Sequence, residues 1–311
     1  MSSVRDIEDI GECPSESGEA GKAKVCDGCP GQQLCLSEEN AVDPDQATLD
    51  VRLRAIKHKI LILSGKGGVG KSSIAVVLAH LLSQKSSKGV GVLDVDICGP
   101  SIPTLLGVAN QPVLETQWGW KPVISPEGNI KCLSVGSLLS SDSQAVIWRG
   151  PRKTAMIKRM IKNTFNKLID YSVVDTISEV FSRTLMIVRF ISLTDPTKLL
   201  MTNSLIILNN GVVSREIRFC QKMKVPVLGI VENMSGFSCP CCNEITPIFS
   251  AGAGEYLSNK YGVPFLGCVP LDLKLSSNTQ ISQNIMEIQS MSPAFESINT
   301  ILKKILDNIC K

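Results

Sequence analysis

The chain has 311 residues, of which 43% are hydrophobic and 20% charged, a composition that excludes wholesale disorder and suits one large α/β domain or two smaller ones. The net charge of +3 is unevenly spread: residues 1–50 carry twelve acidic and three basic side chains and sum to −9, leaving +12 for the rest. An acidic, loop-like extension over 1–50 ahead of a basic domain over 51–311 is therefore expected. The start, Met1-Ser2-Ser3-Val4-Arg5-Asp6, has no apolar stretch and leads into too much acid for a secretory or mitochondrial signal. The most apolar late stretch, Leu185 to Leu208, is broken by Arg189, Asp195 and Lys198, short of the roughly 18 unbroken apolar residues of a membrane span. No membrane span and a cytoplasmic location are the expectations, and there twelve cysteines favour metal binding over disulfides. The two histidines, His58 and His80, sit in no motif, which argues against histidine-triad catalysis.

The extension holds Cys13, Cys26, Cys29 and Cys35, with Pro14, Gly28, Pro30 and Gly31 bending the chain around them. Four thiolates in a segment of almost no apolar content can fold only around a ligand. The C-x12-C-x2-C-x5-C spacing by itself leaves an iron–sulfur cluster, a zinc site and free thiols open.

Next comes Lys59-Ile60-Leu61-Ile62-Leu63, a short buried strand, followed by Ser64-Gly65-Lys66-Gly67-Gly68-Val69-Gly70-Lys71-Ser72-Ser73 and a helix from about Ser72. This is the P-loop pattern G-x-x-x-x-G-K-[ST], in which glycines let backbone N–H groups curl around phosphates and the helix adds its positive end. Lys71 is placed to reach the β- and γ-phosphates, and the Ser72 hydroxyl to bind Mg²⁺. Downstream, Val92-Leu93-Asp94-Val95-Asp96 sets two carboxylates at a strand end, spaced i and i+2 so that both face one side. Asp175, at the end of Tyr171-Ser172-Val173-Val174, is a second strand-end acid suited to Mg²⁺.

From Lys59 onward, strands are predicted at Leu61–Leu63, Gly91–Val95, Ile130–Val135, Tyr171–Val174, Leu205–Leu208, Val227–Val231 and Phe265–Val269. Helices are predicted at Ser73–Leu82, Thr154–Leu168, Ser214–Met223, Gly252–Tyr261 and Ser292–Ile309. Alternation of this kind means a doubly wound, mostly parallel α/β sheet with its site at the strands' carboxyl ends. The seven basic residues between Ser143 and Ile169 come without aromatic interleaving, so a solvated helix face is expected and no nucleic-acid partner.

In the C-terminal half, Cys239-Pro240-Cys241-Cys242 offers two soft ligands on a tight turn, enough for one edge of a zinc or iron–sulfur site; a dimer mate's pair would complete it. Cys98, Cys132, Cys220, Cys268 and Cys310 are expected to pack as small apolar groups.

The K-G-G-x-G-K-[ST] loop with Lys66 resembles the deviant Walker A ATPases of the MinD, Mrp and nitrogenase iron-protein class, and Asp94 to Ser101 resembles the D-x-D-x-x-G-P-S segment of its Mrp-like members. Ile147-Trp148-Arg149-Gly150-Pro151, Val231-Glu232-Asn233-Met234-Ser235-Gly236, Val269-Pro270-Leu271-Asp272 and the C-P-x-C of Cys239 and Cys242 extend the resemblance to the Mrp/Nbp-type scaffold ATPases of eukaryotic cytosolic iron–sulfur cluster assembly. The resemblance runs from about Cys13 to the C-terminus. It implies an ATP-dependent scaffold that builds 4Fe–4S clusters and passes them to cytosolic and nuclear apo-proteins and downstream assembly factors. One cluster would sit on Cys13, Cys26, Cys29 and Cys35, and another would bridge a dimer through Cys239 and Cys242. Lys66 would reach the partner's ATP, Asp96 would orient the attacking water or the Mg²⁺ shell, and Asp175 would hold Mg²⁺ through water. Asn233, Pro270 and Asp272 would face the adenine. A shorter paralogue would complete a heterotetramer. After Asp175, however, the family's Pro-Pro-Gly is replaced by Ile177-Ser178-Glu179, and its Thr-Thr-Pro-Gln-Glu by a stretch beginning Asn203-Ser204-Leu205. Losing a phosphate-facing glycine leaves ATP hydrolysis open and keeps two rivals: a cluster or metal carrier with impaired hydrolysis, and a MinD/ParA-like positioning ATPase.

Overall fold

The computed structural model describes residues 22–24, 27, 46–64, 67–87, 89–96, 99–109, 111–117, 119–126, 129–138, 150–164, 170–175, 198–204, 210–222, 225–248, 252–276 and 292–309. The chain divides into two units, Met1–Gln46 and Ala47–Lys311. Little of the first is described beyond a turn closed by the Asp27 N–H on Lys24 O at 3.3 Å, and Cys13, Cys26, Cys29 and Cys35 lie outside the described residues.

The second unit is built on a sheet in the order β10-β9-β8-β1-β7-β2-β6-β5, with β11 beside β9. Its strands are β1 (His58–Leu63), β2 (Val90–Asp94), β5 (Val123–Ile124), β6 (Ile130–Ser134), β7 (Tyr171–Asp175), β8 (Lys198–Ser204), β9 (Val227–Ser238), β10 (Ile245–Thr246) and β11 (Phe265–Leu271). All pairs are parallel except β5 with β6 and β10 with β9, at the margins. A separate antiparallel ribbon joins β3 (Leu114–Thr116) to β4 (Gly119–Lys121).

The helices are α1 (Gln46–Arg54), α2 (Lys71–Ser83), α3 (Ile102–Leu105), α4 (Gly150–Asn163), α5 (Asn210–Lys222), α6 (Ala253–Tyr261), α7 (Leu273–Ser276) and α8 (Pro293–Ile309). From Ile60 to Leu63 strand β1 reads as an unbroken apolar run because both its faces are covered. Ile60 and Ile62 pack in one core with Ile74 and Leu78 of α2 and Phe295 and Leu302 of α8. Leu61 and Leu63 pack in the opposite core with Leu53, Met160, Ile217 and Leu257 from α1, α4, α5 and α6. Helix α8 opens where the Ser292 hydroxyl accepts the Phe295 N–H at 3.1 Å, an N-cap on the amphipathic stretch predicted there.

The fold matches the predicted doubly wound class, with two local differences, at the end of β2 and at Cys268. Among the described residues the strand before α5 is Lys198–Ser204, and the predicted strand Leu205–Leu208 lies outside them. The register of β8 pairs Ile60 through Leu63 with Lys198 through Met201. Strand β2 stops at Asp94, and the Asp96 N–H turns back onto Asp94 Oδ1 at 3.1 Å, so strand alternation does not carry on to Asp96. Cys132 and Cys220 are buried as expected, but Cys268 is exposed, on a strand that among the described residues pairs with β9 alone.

Candidate nucleotide and thiolate site

The P-loop leaves β1 at the carboxyl edge of the sheet. Gly70 has φ 81, and α2 begins directly after it with no side-chain cap on its first N–H groups. A Cβ on Gly70 would overlap Asn233 Nδ2, so both conformation and contact demand glycine there. The opening N–H groups of α2 thus form a ready anion site. Gly67, Gly68 and Val69 complete the described part of the loop, while Gly65 and Lys66 lie outside it.

Three strand ends converge on this loop. Lys71 is 5% exposed. Burial lowers its pKa, while Asp175, Asp96 and Glu216 hold the charge on. The Ser72 hydroxyl donates to Asp175 Oδ2 at 2.6 Å, joining the first turn of α2 to the end of β7. Asp94, level with Asp175 on the neighbouring strand, is fully buried and accepts from Ser134 Oγ at 2.9 Å. Burial, then the nearby Asp175 charge, raises its pKa well above the carboxylate range. Asp94 thus buttresses the site, whereas Asp96, half-buried, is the more accessible of the pair. The residues present fit a Mg²⁺–nucleotide: a glycine cradle and helix end for phosphates, Lys71 as cation, and Ser72 with Asp175 as hard oxygen donors.

Reading the sequence alone misses Glu216. It rises from α5 with its Oε2 buried and without a hydrogen-bond partner among the described residues. Burial pushes its pKa up to about 8 against the opposing pull of Lys71. The available signal was an acid inside the apolar stripe Val213, Ile217, Cys220 of an amphipathic helix.

Asn233, on β9, donates from Nδ2 to Val69 O at 2.8 Å and so touches the P-loop itself. Pro270 is buried on β11. Asp272 uses Oδ1 to accept the Lys274 N–H at 2.9 Å and Oδ2 to accept the Ser292 hydroxyl at 2.6 Å, anchoring the starts of α7 and α8.

Strand β9 continues from Asn233 to Ser238 and ends in the cysteine turn. The turn closes through the Cys239 N–H on Glu244 O at 2.9 Å and the Asn243 N–H on Cys239 O at 2.8 Å. Backbone N–H groups of Cys242, then Cys241, point at the Cys239 sulfur and lower its pKa, favouring the thiolate. Cys241 and Cys242 are exposed. Soft donors at an accessible turn suit one edge of a metal cluster. Among the described residues no group of three or more ligands is preassembled, so further ligands would have to come from elsewhere.

A family profile of the ParA class, described as the NUBPL iron-transfer P-loop NTPase, matches residues 55–306. The chain belongs to this family of α/β P-loop NTPases. It is 45% identical over 254 residues to a protein of Nematostella vectensis named cytosolic Fe-S cluster assembly factor NUBP2 homolog, covering 81% of this chain and 94% of that protein. A nucleotide-binding protein from Archaeoglobus fulgidus, solved in complex with ADP, superposes with a TM-score of 0.67 at 29% identity, covering 81% of this chain and 95% of that one. The cell division ATPase MinD of Pyrococcus furiosus shares the fold at a TM-score of 0.58 and 18% identity, covering 81% and 99% of the two chains. The family match begins at residue 55, so the four N-terminal cysteines lie outside it. Among the described residues no helix is long and apolar enough to cross a membrane.

Proposed function

We propose that this chain is a cytosolic scaffold of iron–sulfur cluster assembly, binding Mg·ATP at the P-loop and building a 4Fe–4S cluster on Cys239 and Cys242. Iron and sulfide are cargo here, released to apo-proteins. One observation carries the reading: β9 runs from a direct contact with the P-loop at Asn233 to the thiolate-favouring turn at Cys239. Two thiols cannot close a cluster cage, so the rest is assigned to a second subunit, and the shorter paralogue is the partner proposed for a heterotetramer. The second cluster is assigned to Cys13, Cys26, Cys29 and Cys35, whose segment has little else to fold around. Lys66 is assigned to the partner's nucleotide, and Asp96 to water or the Mg²⁺ shell.

Anaerobic purification followed by iron, zinc and absorbance measurement tests the cluster directly. Replacing Cys239 and Cys242 together with Ala should remove the bridging cluster and leave the N-terminal one. Unchanged iron per monomer would refute the bridging assignment, and bound zinc without iron would overturn the scaffold reading. A second reading, a carrier with impaired hydrolysis, is favoured by Ile177-Ser178-Glu179 after the Mg²⁺ aspartate, a stretch outside the described residues. A positioning ATPase has only the 18%-identical fold in its favour.

A further inference from the structure

Neighbouring side chains on a strand point to opposite faces of the sheet, and on β9 this sends two polar groups to two different loops. Asn233 faces the P-loop, through its bond to Val69 O. Glu232 is fully buried on the α6 side. Its Oε2 accepts the Gly254 N–H at 2.8 Å and its Oε1 the Gly252 N–H at 3.2 Å. Those amides open α6 and end the segment that returns from the cysteine turn. A Cβ on Gly254 would strike Glu232 Oε2 and the Phe265 ring, so the clamp needs bare backbone.

The same segment is held to β9 at one further place. Strand β10 pairs with Phe237 and Ser238, and Gly236 leaves room for Ile245 and Thr246. Between the clamp and this hairpin, Met234 holds φ 58, a left-handed conformation that is strained for a side-chain-bearing residue. Burying a carboxylate is expensive, and an apolar residue would fill the space more cheaply; two charge-assisted amide bonds fix a position instead.

We propose that Glu232 is a positioning residue for the cysteine turn, and that with Asn233 it makes β9 the link by which occupancy of the P-loop alters Cys239 and Cys242. This rests on the nucleotide and thiolate reading given above. Phosphates drawn into the loop move Val69, the Asn233 bond follows, and the adjoining Glu232 carries the shift to Gly252 and Gly254.

The test measures iodoacetamide alkylation of Cys239, Cys241 and Cys242 in the full chain, resolved by peptide mass spectrometry, with and without saturating Mg²⁺ and a non-hydrolysable ATP analogue. In the wild type the analogue should change the rate at Cys239 or Cys242 about fivefold, the low end of ordinary coupling between sites. In Glu232→Gln, which offers one acceptor oxygen where two are needed, the analogue should still bind but the rate change should vanish. Glu232→Asp keeps both oxygens and should restore part of it. If the Gln variant does not fold, Asn233→Ala at saturating analogue carries the same comparison and should also lose the response. A full response in these variants, or a wild type that binds the analogue with no change at the cysteines, overturns the link. A wild type that does not bind the analogue overturns the nucleotide reading and the link with it, whereas failure of the cluster reading would show only in iron content.

Discussion

Replacing Gly70 by Ala separates two physical demands on the P-loop. At φ 81 an added Cβ costs about 1–2 kcal/mol, and the same conformational term applies at Gly68, φ 72. Around Gly68 nothing lies within 4 Å of the added carbon, whereas at Gly70 it meets Asn233 Nδ2. Gly70→Ala must therefore also displace the buried Asn233 amide from Val69 O, which costs about another 1–3 kcal/mol. That gap between the two variants corresponds to roughly 2–12 °C in thermal midpoint for a domain of this size. The assay is thermal unfolding of Gly68→Ala, Gly70→Ala and each combined with Asn233→Ala. In the Asn233→Ala background the gap should shrink, because the contact that separates the sites is gone. Equal losses for the two glycines, or a gap unaffected by Asn233→Ala, would refute the reasoning.

Lys71→Ala should weaken binding of labelled ATP about tenfold to a hundredfold, from the roughly 1.5–3 kcal/mol of hydrogen bonds to a charged group; undiminished binding would place the nucleotide elsewhere. Glu216 gives a signed pH effect: its folded pKa of about 8 lies above the ordinary 4.5, so its contribution to stability is present below pH 4.5 and lost as pH rises through 8. Glu216→Gln should flatten that fall, gaining on the wild type as unfolding is measured from pH 5 to pH 8, while Asp94 contributes alike to both proteins. Restoring Pro-Pro-Gly at Ile177, Ser178 and Glu179 should speed phosphate release over the unaltered chain, and equal rates would show that the loop change is tolerated.

The class of fold and the chemistry at its centre were legible in the order of residues. Buried parallel strands read as apolar runs, and a loop that wraps phosphates must spell glycines, lysine and serine in fixed order, so β1, the P-loop and α2 were legible locally. Helices α5, α6 and α8 announced themselves through one-sided apolar spacing. What local patterns could not give was which partner each polar group finds. That Ser72 meets Asp175 across 103 residues, and that Asn233 meets Val69 across 164, depends on strand order in the sheet. The same pairing gave Asp94 its hidden role beside Asp175. Glu216 and Glu232 look like ordinary acids in the sequence, because burial is a property of the whole packed chain. Only the tertiary structure takes their carboxylates out of water, one opposite Lys71 and the other beneath the opening amides of α6.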